Sequence, residues 1–169
     1  MPLFVRGPGV PAGSTVENLA VNTDFATTVA ELAGVEFPAD GRSLAPLLRG
    51  GESPSWRSAV LLERRPTEEG GEGKAKEGKV EPGGVPKARV PKPGVAGMRF
   101  LAIRTETHKY VVGYGNGESR ELYGLQADPY ELENVYKSAD PSLVEDLEAR
   151  LEALRSCSGD GCREAEDAS

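Results

Sequence analysis

Few side chains in this 169-residue chain are of types that could carry out chemistry. His108 is its single histidine, and Cys157 and Cys162 are its two cysteines. An imidazole titrates near neutral pH, so His108 could donate a hydrogen bond to a substrate or act as a general acid. The alternative is a surface histidine at the edge of a strand. Without a second histidine, the sequence offers no paired-imidazole metal site.

The two cysteines lie close together in the sequence CSGDGC, among flexible glycines. This spacing favours a disulfide between Cys157 and Cys162 that closes a small surface loop. Free thiols are the first alternative. Half of a zinc site is the second, but structural zinc takes four ligands and the chain has no other cysteine pair. A nucleophilic cysteine is not predicted, because neither residue has a histidine nearby in the sequence.

Other signatures of self-contained chemistry are absent from the sequence. No serine lies in a G-x-S-x-G nucleophile elbow, and the glycines of GPGVPAG lack the lysine and the helix start of a phosphate-binding loop. The formal net charge of -7 argues against a nucleic-acid-binding surface, which requires clustered Lys and Arg. No apolar run approaches the roughly 20 residues that cross a bilayer, and the first residues lack the pattern of a secretory signal.

The elements that would position these residues fall into two groups. In the first group, PLFV predicts a strand, and NTDFATTVAELAG predicts a helix that ends at Gly34. The helix places Phe25, Val29 and Leu32 on one apolar face. Residues 1–50 provide little against which this face could pack, too little for an independent core. We therefore expect residues 1–50 to belong to a larger α/β domain.

The second group predicts a small α+β unit. Four strands are expected, in AVLLE, MRFLAIRT, HKYVVGY and RELYGL. The Asn116-Gly117 pair between the third and fourth strands favours a tight hairpin, because both residues tolerate positive φ. The run DPSLVEDLEARLEALR predicts a helix, with an Asp-Pro start and leucines that recur on one face. An antiparallel sheet formed by residues 51–63 and 98–155 would pack its apolar face on this helix.

Two further segments predict no packed structure. Residues 64–97 mix both charge signs with glycine and proline, and their large apolar side chains are isolated valines. Such a segment cannot bury enough surface to offset its ordering entropy, so we expect a disordered insertion. A polyanion-binding arm is the alternative, and the interleaved glutamates argue against it. Residues 156–169 are expected to form a flexible tail.

Six blocks, taken in order along the chain, resemble the carboxy-terminal third of a sulfatase of the alkaline-phosphatase superfamily. They are PLFVRGPGVPAGST, NTDFATTVAELAGV, DGRSLAPLLRG, WRSAVLLE, IRTETHKYVV and ELYGLQADPYELENV. The sequence LRSCSGDGCR is similar to the tail of bacterial sulfatases of the N-acetylglucosamine-6-sulfatase and arylsulfatase groups. The resemblance implies an α/β fold: the edge strand and helix of an alkaline-phosphatase-like domain, followed by a small antiparallel four-stranded sheet packed on a C-terminal helix.

The resemblance also implies a chemistry. Sulfatases hydrolyse sulfate esters with a formylglycine, made from the Cys or Ser of a C/S-x-P-x-R motif, and with a calcium or magnesium ion. This sequence contains no such motif. We therefore assign no catalytic and no metal-binding residue here, and we expect a fragment that is inactive alone. The longer parent would act on a sulfated carbohydrate or an aryl sulfate and would be secreted or periplasmic.

Several family positions carry over to this sequence. Asp24 matches the aspartate of an N-x-D-x-x-x-T block, where the resemblance implies that it caps and orients the first helix. Asp40, Gly41 and Arg42 match the DGRSL block at the edge of the large domain. We expect the turn to require Gly41, and Asp40 to accept hydrogen bonds from the following amides.

A second set of family positions lies in RTETHKYV, the block in which the family's small domain approaches the mouth of the active site. Arg104, His108 and Lys109 could there contact an anionic sugar. The alternative is a solvated hairpin in which Arg104 pairs with a nearby carboxylate.

Two other functions fit parts of the pattern. A phosphonate or phosphodiester hydrolase of the same superfamily can share this carboxy-terminal region. A non-catalytic module could instead bind a partner chain through an apolar surface that consists of Leu3, Phe4, Phe25 and Val29.

Overall fold

The computed structural model of the chain describes residues 3–51, 56–64, 99–114 and 118–168. In chain order its elements are α1 (Asp24–Leu32), α2 (Ala45–Leu48), β1 (Ala59–Arg64), β2 (Arg99–Thr105), β3 (His108–Tyr114), β4 (Ser119–Gly124), a 3₁₀ turn (Tyr136–Ser138), α3 (Pro141–Ser156) and α4 (Asp160–Asp167). Apart from Arg64, the predicted insertion lies outside the described residues, and so does the predicted Asn116-Gly117 turn.

The four strands form one antiparallel sheet in the order β1-β2-β3-β4. Ile103 lies opposite Leu61 on one side and Tyr110 on the other, and Tyr110 in turn lies opposite Leu122. One face of the sheet therefore carries apolar side chains from all four strands. The predicted four-stranded antiparallel sheet is confirmed, and β1 continues through Arg64, one residue into the predicted insertion.

Helix α3 covers the apolar face of the sheet. Asp140 precedes the helix, and its side chain accepts a hydrogen bond from the backbone N–H of Ser142 at 2.9 Å. The core between sheet and helix consists of Ala59, Leu101, Ile103, Tyr110, Val112, Leu122, Leu147, Leu151 and Leu154. Burying a large apolar side chain contributes about 2 kcal/mol, so this layer is the main source of stability of the unit.

The N-terminal region, residues 3–50, differs from this unit, because most of its large apolar side chains are exposed, although Leu44, Ala45 and Leu47 are buried. No strand forms over residues 3–10, where PLFV predicts one. A strand is held by hydrogen bonds to a neighbour, and no described residue pairs with this segment. The exposed large apolar side chains of the region are Leu3, Phe4, Val5, Val16, Phe25, Val29, Leu32, Val35 and Phe37.

Helix α4 lies in the segment for which the sequence predicts a flexible tail. Its residues, DGCREAED, contain few apolar side chains, so the sequence gives no periodic signal for a helix. Contacts with distant parts of the chain hold it instead. In the described part of the chain, no helix is long and apolar enough to span a membrane.

Candidate functional site

A buried ion pair joins helix α1 to the segment before β1. Asp24 and Arg57 are almost completely buried, and the two Nη atoms of Arg57 donate to the two Asp24 carboxylate oxygens at 2.7 and 2.8 Å. The same carboxylate accepts the backbone N–H groups of Val21 and Arg42, each at 2.8 Å. These four donors use the acceptor capacity of the carboxylate. Asp24 is therefore a structural residue, with no oxygen left for a substrate.

A second carboxylate, that of Glu166 on α4, extends the ion pair. Its Oε2 atom lies 3.0 Å from the Nε atoms of both Arg57 and Arg42. Burial raises the pKa of Glu166, and the two guanidinium groups oppose that shift. Arg42 also donates to the carbonyl of Arg163 at 2.9 Å. Asp167 also lies beside Arg42, with 2.7 Å between Oδ1 and Nη2, so three carboxylates surround the two guanidinium groups. We call Asp24, Arg42, Arg57 and Glu166 the α1–α4 joint.

The turn that contains Asp40 and Gly41 also contacts both helices of the joint. The Oδ1 atom of Asp40 accepts the backbone N–H of Gly159 at 3.0 Å, a more distant partner than the following amides expected from the sequence. Gly41 approaches the backbone of Thr23 so closely that an added Cβ would lie 2.6 Å from the Thr23 carbonyl carbon. Any side chain at position 41 would therefore push this turn away from α1.

A disulfide between Cys157 and Cys162 links the end of α3 to the first turn of α4. At the C-terminal end of α4, the backbone N–H of Ser58 donates to the carbonyl of Glu166 at 2.8 Å. Arg150 of α3 donates to the carbonyl of Ala168 at 2.7 Å. Helix α4 therefore bridges the N-terminal region, the start of β1 and α3.

Two cations lie side by side on the sheet face opposite α3. Arg104 and Lys109 are register partners on β2 and β3, and Lys109 lies opposite Tyr123 of β4. Glu131, from the loop after β4, contacts both cations, with 2.5 Å between Oε2 and Lys109 Nζ and 3.6 Å between Oε1 and Arg104 Nη1. We call Arg104, Lys109 and Glu131 the sheet-face cluster. It combines two positive charges with one negative charge, and 41% of the Arg104 side chain is exposed.

His108 does not join this cluster. It precedes Lys109 on β3, so strand alternation directs it to the opposite face of the sheet, that of α3. Its Nδ1 atom forms a hydrogen bond of 2.9 Å with the hydroxyl of Thr107. Of the three residues expected near a substrate, the structure thus brings Arg104 and Lys109 together and separates His108 from them.

Tyr123 places a neutral hydroxyl beside the sheet-face cluster. Its hydroxyl donates to the Oε2 atom of Glu121 at 2.8 Å. This hydrogen bond, together with burial and the nearby carboxylates, raises the pKa of Tyr123 to about 12. The phenol therefore stays protonated at physiological pH and can serve as a hydrogen-bonding group but not as a general base.

The described residues do not fit the calcium or magnesium ion that the resemblance implies. They contain no group of three or more His, Cys, Asp or Glu side chains that could hold a metal ion. The carboxylates of Asp24, which is buried, and of Glu166, which is partly buried, are engaged by guanidinium groups instead. We therefore place no ion in this part of the chain.

Three residues of these two clusters were not predicted as site residues from the sequence. Arg57 lies 33 residues from Asp24, Glu131 lies 22 residues from Lys109, and Glu166 lies 124 residues from Arg42. Periodicity reports on neighbours within a few residues, so it gives no signal for such pairs. One local signal was present: in WRSAVLLE an arginine lies two residues before an apolar strand.

Comparison with known protein sequences gives two findings. Residues 1–64 match the family described as N-sulphoglucosamine sulphohydrolase, C-terminal. The N-acetylglucosamine-6-sulfatase of Bos taurus is 33% identical over 175 residues, which cover 96% of this chain and 30% of that protein. The chain therefore spans less than a third of the length of this relative.

Two solved structures are similar along most of the chain. One was solved in complex with its substrate D-glucosamine-2-N,6-O-disulfate; it has a TM-score of 0.65 and 26% identity and covers 94% of this chain and 27% of that one. The other is a phosphonate monoester hydrolase of Agrobacterium radiobacter, with a TM-score of 0.59 and 30% identity, over 86% of this chain and 26% of that one.

Proposed function

The chain belongs to the sulfatase family and corresponds to its carboxy-terminal region, and from this premise we propose that it is part of an enzyme that hydrolyses sulfate esters of amino sugars. The observation that carries the proposal is the similarity to an N-acetylglucosamine-6-sulfatase along 96% of the chain. The structural relative with bound D-glucosamine-2-N,6-O-disulfate supports the same class of substrate.

We assign substrate binding, and not bond cleavage, to this part of the enzyme. In the proposed enzyme a formylglycine and a calcium or magnesium ion, both held elsewhere in the protein, supply the hydrolytic chemistry. Arg104 and Lys109 would hold an anionic group of the sugar, because guanidinium and ammonium groups form strong charge-assisted hydrogen bonds with such oxygens. We assign no step of hydrolysis to the described residues, and we expect the 169-residue chain alone to be inactive.

The exposed apolar side chains of the N-terminal region support a place within a larger protein. Phe4 is 90% exposed, and Val29 is 65% exposed on the same face of α1 as Phe25. An exposed apolar helix face such as that of Phe25 and Val29 marks a surface that packs against another domain or chain. We propose that a larger sulfatase domain covers it. Arg104 lies opposite Val60, the second residue of β1, and is therefore at the end of the sheet that is nearest in sequence to the N-terminal region.

We further propose that the full enzyme is secreted or periplasmic. The Cys157–Cys162 disulfide supports this location, because disulfides form and persist mainly in oxidising compartments. The substrate class agrees with it, since an enzyme outside the cytoplasm can meet sulfated glycans directly.

A phosphonate monoester hydrolase is the second candidate. The relative from Agrobacterium radiobacter, at 30% identity and a TM-score of 0.59, favours it. Both substrates carry an anionic, tetrahedral oxygen-rich group, so the same two cations would serve either. A non-catalytic module bound to a partner chain would also use the exposed apolar face, and it would hydrolyse neither substrate.

An activity assay of the longer protein separates these functions. The contiguous open reading frame around this sequence should be expressed, and release of sulfate from N-acetylglucosamine 6-sulfate should be measured beside hydrolysis of a phenyl phosphonate monoester. We expect sulfate release, and a rise in KM of roughly tenfold for the double variant Arg104→Ala, Lys109→Ala, which loses two charge-assisted contacts. Preferential hydrolysis of the phosphonate would support the second candidate. Failure to hydrolyse either compound would refute both enzyme functions.

A further inference from the structure

Glu131 has an unusual backbone conformation. It is the one non-glycine residue with positive φ, 57°, in the described part of the chain. Side chains disfavour this left-handed region, and residues held in it often belong to functional sites. Asp128 enforces the conformation: its Oδ2 atom accepts the backbone N–H groups of Leu132 and Glu133 at 2.7 and 2.8 Å, and its carbonyl accepts that of Glu131 at 3.1 Å.

This conformation turns Glu131 toward the sheet while its neighbours face solvent. Tyr130 is 81% exposed and Leu132 is 83% exposed. The two carboxylate oxygens of Glu131 contact different cations: Oε2 contacts the ammonium group of Lys109, and Oε1 contacts the guanidinium group of Arg104. A carboxylate or sulfate group of a ligand would bind two adjacent cations in the same bridging manner.

The charge balance distinguishes this cluster from other ion pairs of the sheet. Arg120, on the α3-facing side, contacts the two carboxylates of Glu118 and Glu148, so that group is net negative. The sheet-face cluster is net positive even with Glu131 in place. Glu121 and Asp128 are the further carboxylates near it: Glu121 is bound by the Tyr123 hydroxyl, and Asp128 by the backbone of its own loop.

We propose that Glu131 is an internal stand-in for an anionic ligand: its carboxylate bridges Arg104 and Lys109 in the free protein and is displaced by a sulfate or carboxylate group of a sugar. The loop that carries it is tied to the sheet at both ends: the backbone N–H of Leu125 donates to the Thr107 carbonyl at 2.8 Å, and that of Val135 donates to the Leu122 carbonyl at 2.9 Å. Displacement therefore requires only that the Glu131 side chain turn away from the cations, while the loop and the strands stay in place. The ligand class rests on the proposed function. The competition between Glu131 and the ligand goes beyond the proposed function. This competition makes Glu131 a determinant of the affinity for the ligand.

Binding measurements on the 169-residue chain test this proposal without requiring hydrolysis. The probe is glucosamine 6-sulfate, titrated by NMR or calorimetry into wild-type protein and into Glu131→Gly and Glu131→Gln. Glycine suits the positive φ, and glutamine keeps the size of the side chain while removing the charge. Because the carboxylate that competes for two partly exposed cations is lost, we expect both variants to bind the probe roughly threefold to tenfold more tightly.

Two further variants serve as controls. Glu118→Gln removes a carboxylate from Arg120 and changes the net charge by the same amount as Glu131→Gln. An unchanged affinity of Glu118→Gln for the probe therefore shows that the gain in affinity is specific to the sheet-face cluster. Arg104→Ala with Lys109→Ala should abolish binding. The proposal is overturned if the Glu131 variants bind no more tightly than wild type, if Glu118→Gln gains equally, or if no variant binds the probe. The proposed hydrolysis is judged by the assay of the longer protein, so the two can fail separately.

Discussion

Asp24 and Arg57 are almost completely enclosed, whereas 41% of the Arg104 side chain is exposed. A buried charge is stable only while its partner is present, because neither water nor another group can replace that partner. The exposed cation, by contrast, can exchange its carboxylate for a ligand at little cost. Burial therefore separates the residues that hold the chain together from those that can bind a substrate.

We expect Asp24→Ala to be strongly destabilising. The substitution leaves the guanidinium of Arg57 buried without its bidentate partner, which costs about 3 to 5 kcal/mol. Urea unfolding followed by circular dichroism measures the change. Asp160→Ala is the matched control, because Asp160 forms an exposed ion pair with Arg163 and its loss should change the free energy of unfolding little. Equal losses for the two variants would show that the buried pair does not stabilise the joint.

Helix α3 is the element whose structure is most completely predicted by its own sequence. Its cap, its first proline and its buried leucines all lie within one continuous segment, so local pattern was sufficient to predict it. The four strands were equally readable, because each is a short run rich in apolar residues within one local segment. Helix α4 was missed for the opposite reason: its stability comes from Ser58, Arg42 and the disulfide, none of which a local window connects to it.

The cap of α3 should make stability depend on pH. Hydrogen bonds from the backbone and side chain of Ser142 lower the pKa of Asp140. A carboxyl with a lowered folded pKa stabilises the protein above its unfolded value, near 4, and this contribution is lost as the pH falls through the folded value. Asp140→Ala should therefore melt below wild type at pH 7, and the gap should narrow below pH 4.

Thermal melts between pH 2.5 and 7 measure this dependence. Asp140→Asn is the control, because asparagine also caps helices but carries no charge. It should stay close to wild type at pH 7. A gap between wild type and Asp140→Ala that is the same at every pH would argue against an ionised cap.

In the molecule as a whole, α4 connects regions that have few other contacts. The N-terminal region meets the sheet and α3 mainly through the α1–α4 joint and the segment around Arg57. From the sequence, the four-stranded sheet and its helix could be predicted, but the joint could not, because its members are distant along the chain. The opening strand was expected from PLFV, and it does not form because a strand needs a paired neighbour.

Removing the disulfide should loosen this connection first. A loop as short as that between Cys157 and Cys162 contributes about 2 kcal/mol by the chain-entropy estimate. In Cys157→Ser with Cys162→Ser we expect faster amide hydrogen exchange in α4 and around Arg42, with protection of the sheet and α3 retained. Wild type measured with and without reductant is the control. Uniform loss of protection across the sheet would mean that the disulfide supports the core and not the α4 connection.

The separation between Arg42 and Glu166 also sets an order of events during synthesis. The two residues are 124 positions apart, and contacts of such long range form late because a long loop must close first. A ribosome that has translated α1 and the Asp40–Arg42 turn must still add more than a hundred residues before Glu166 emerges. Until then the guanidinium groups of Arg42 and Arg57 lack the carboxylate of Glu166, so the α1–α4 joint is completed only after the sheet and α3 have been synthesised.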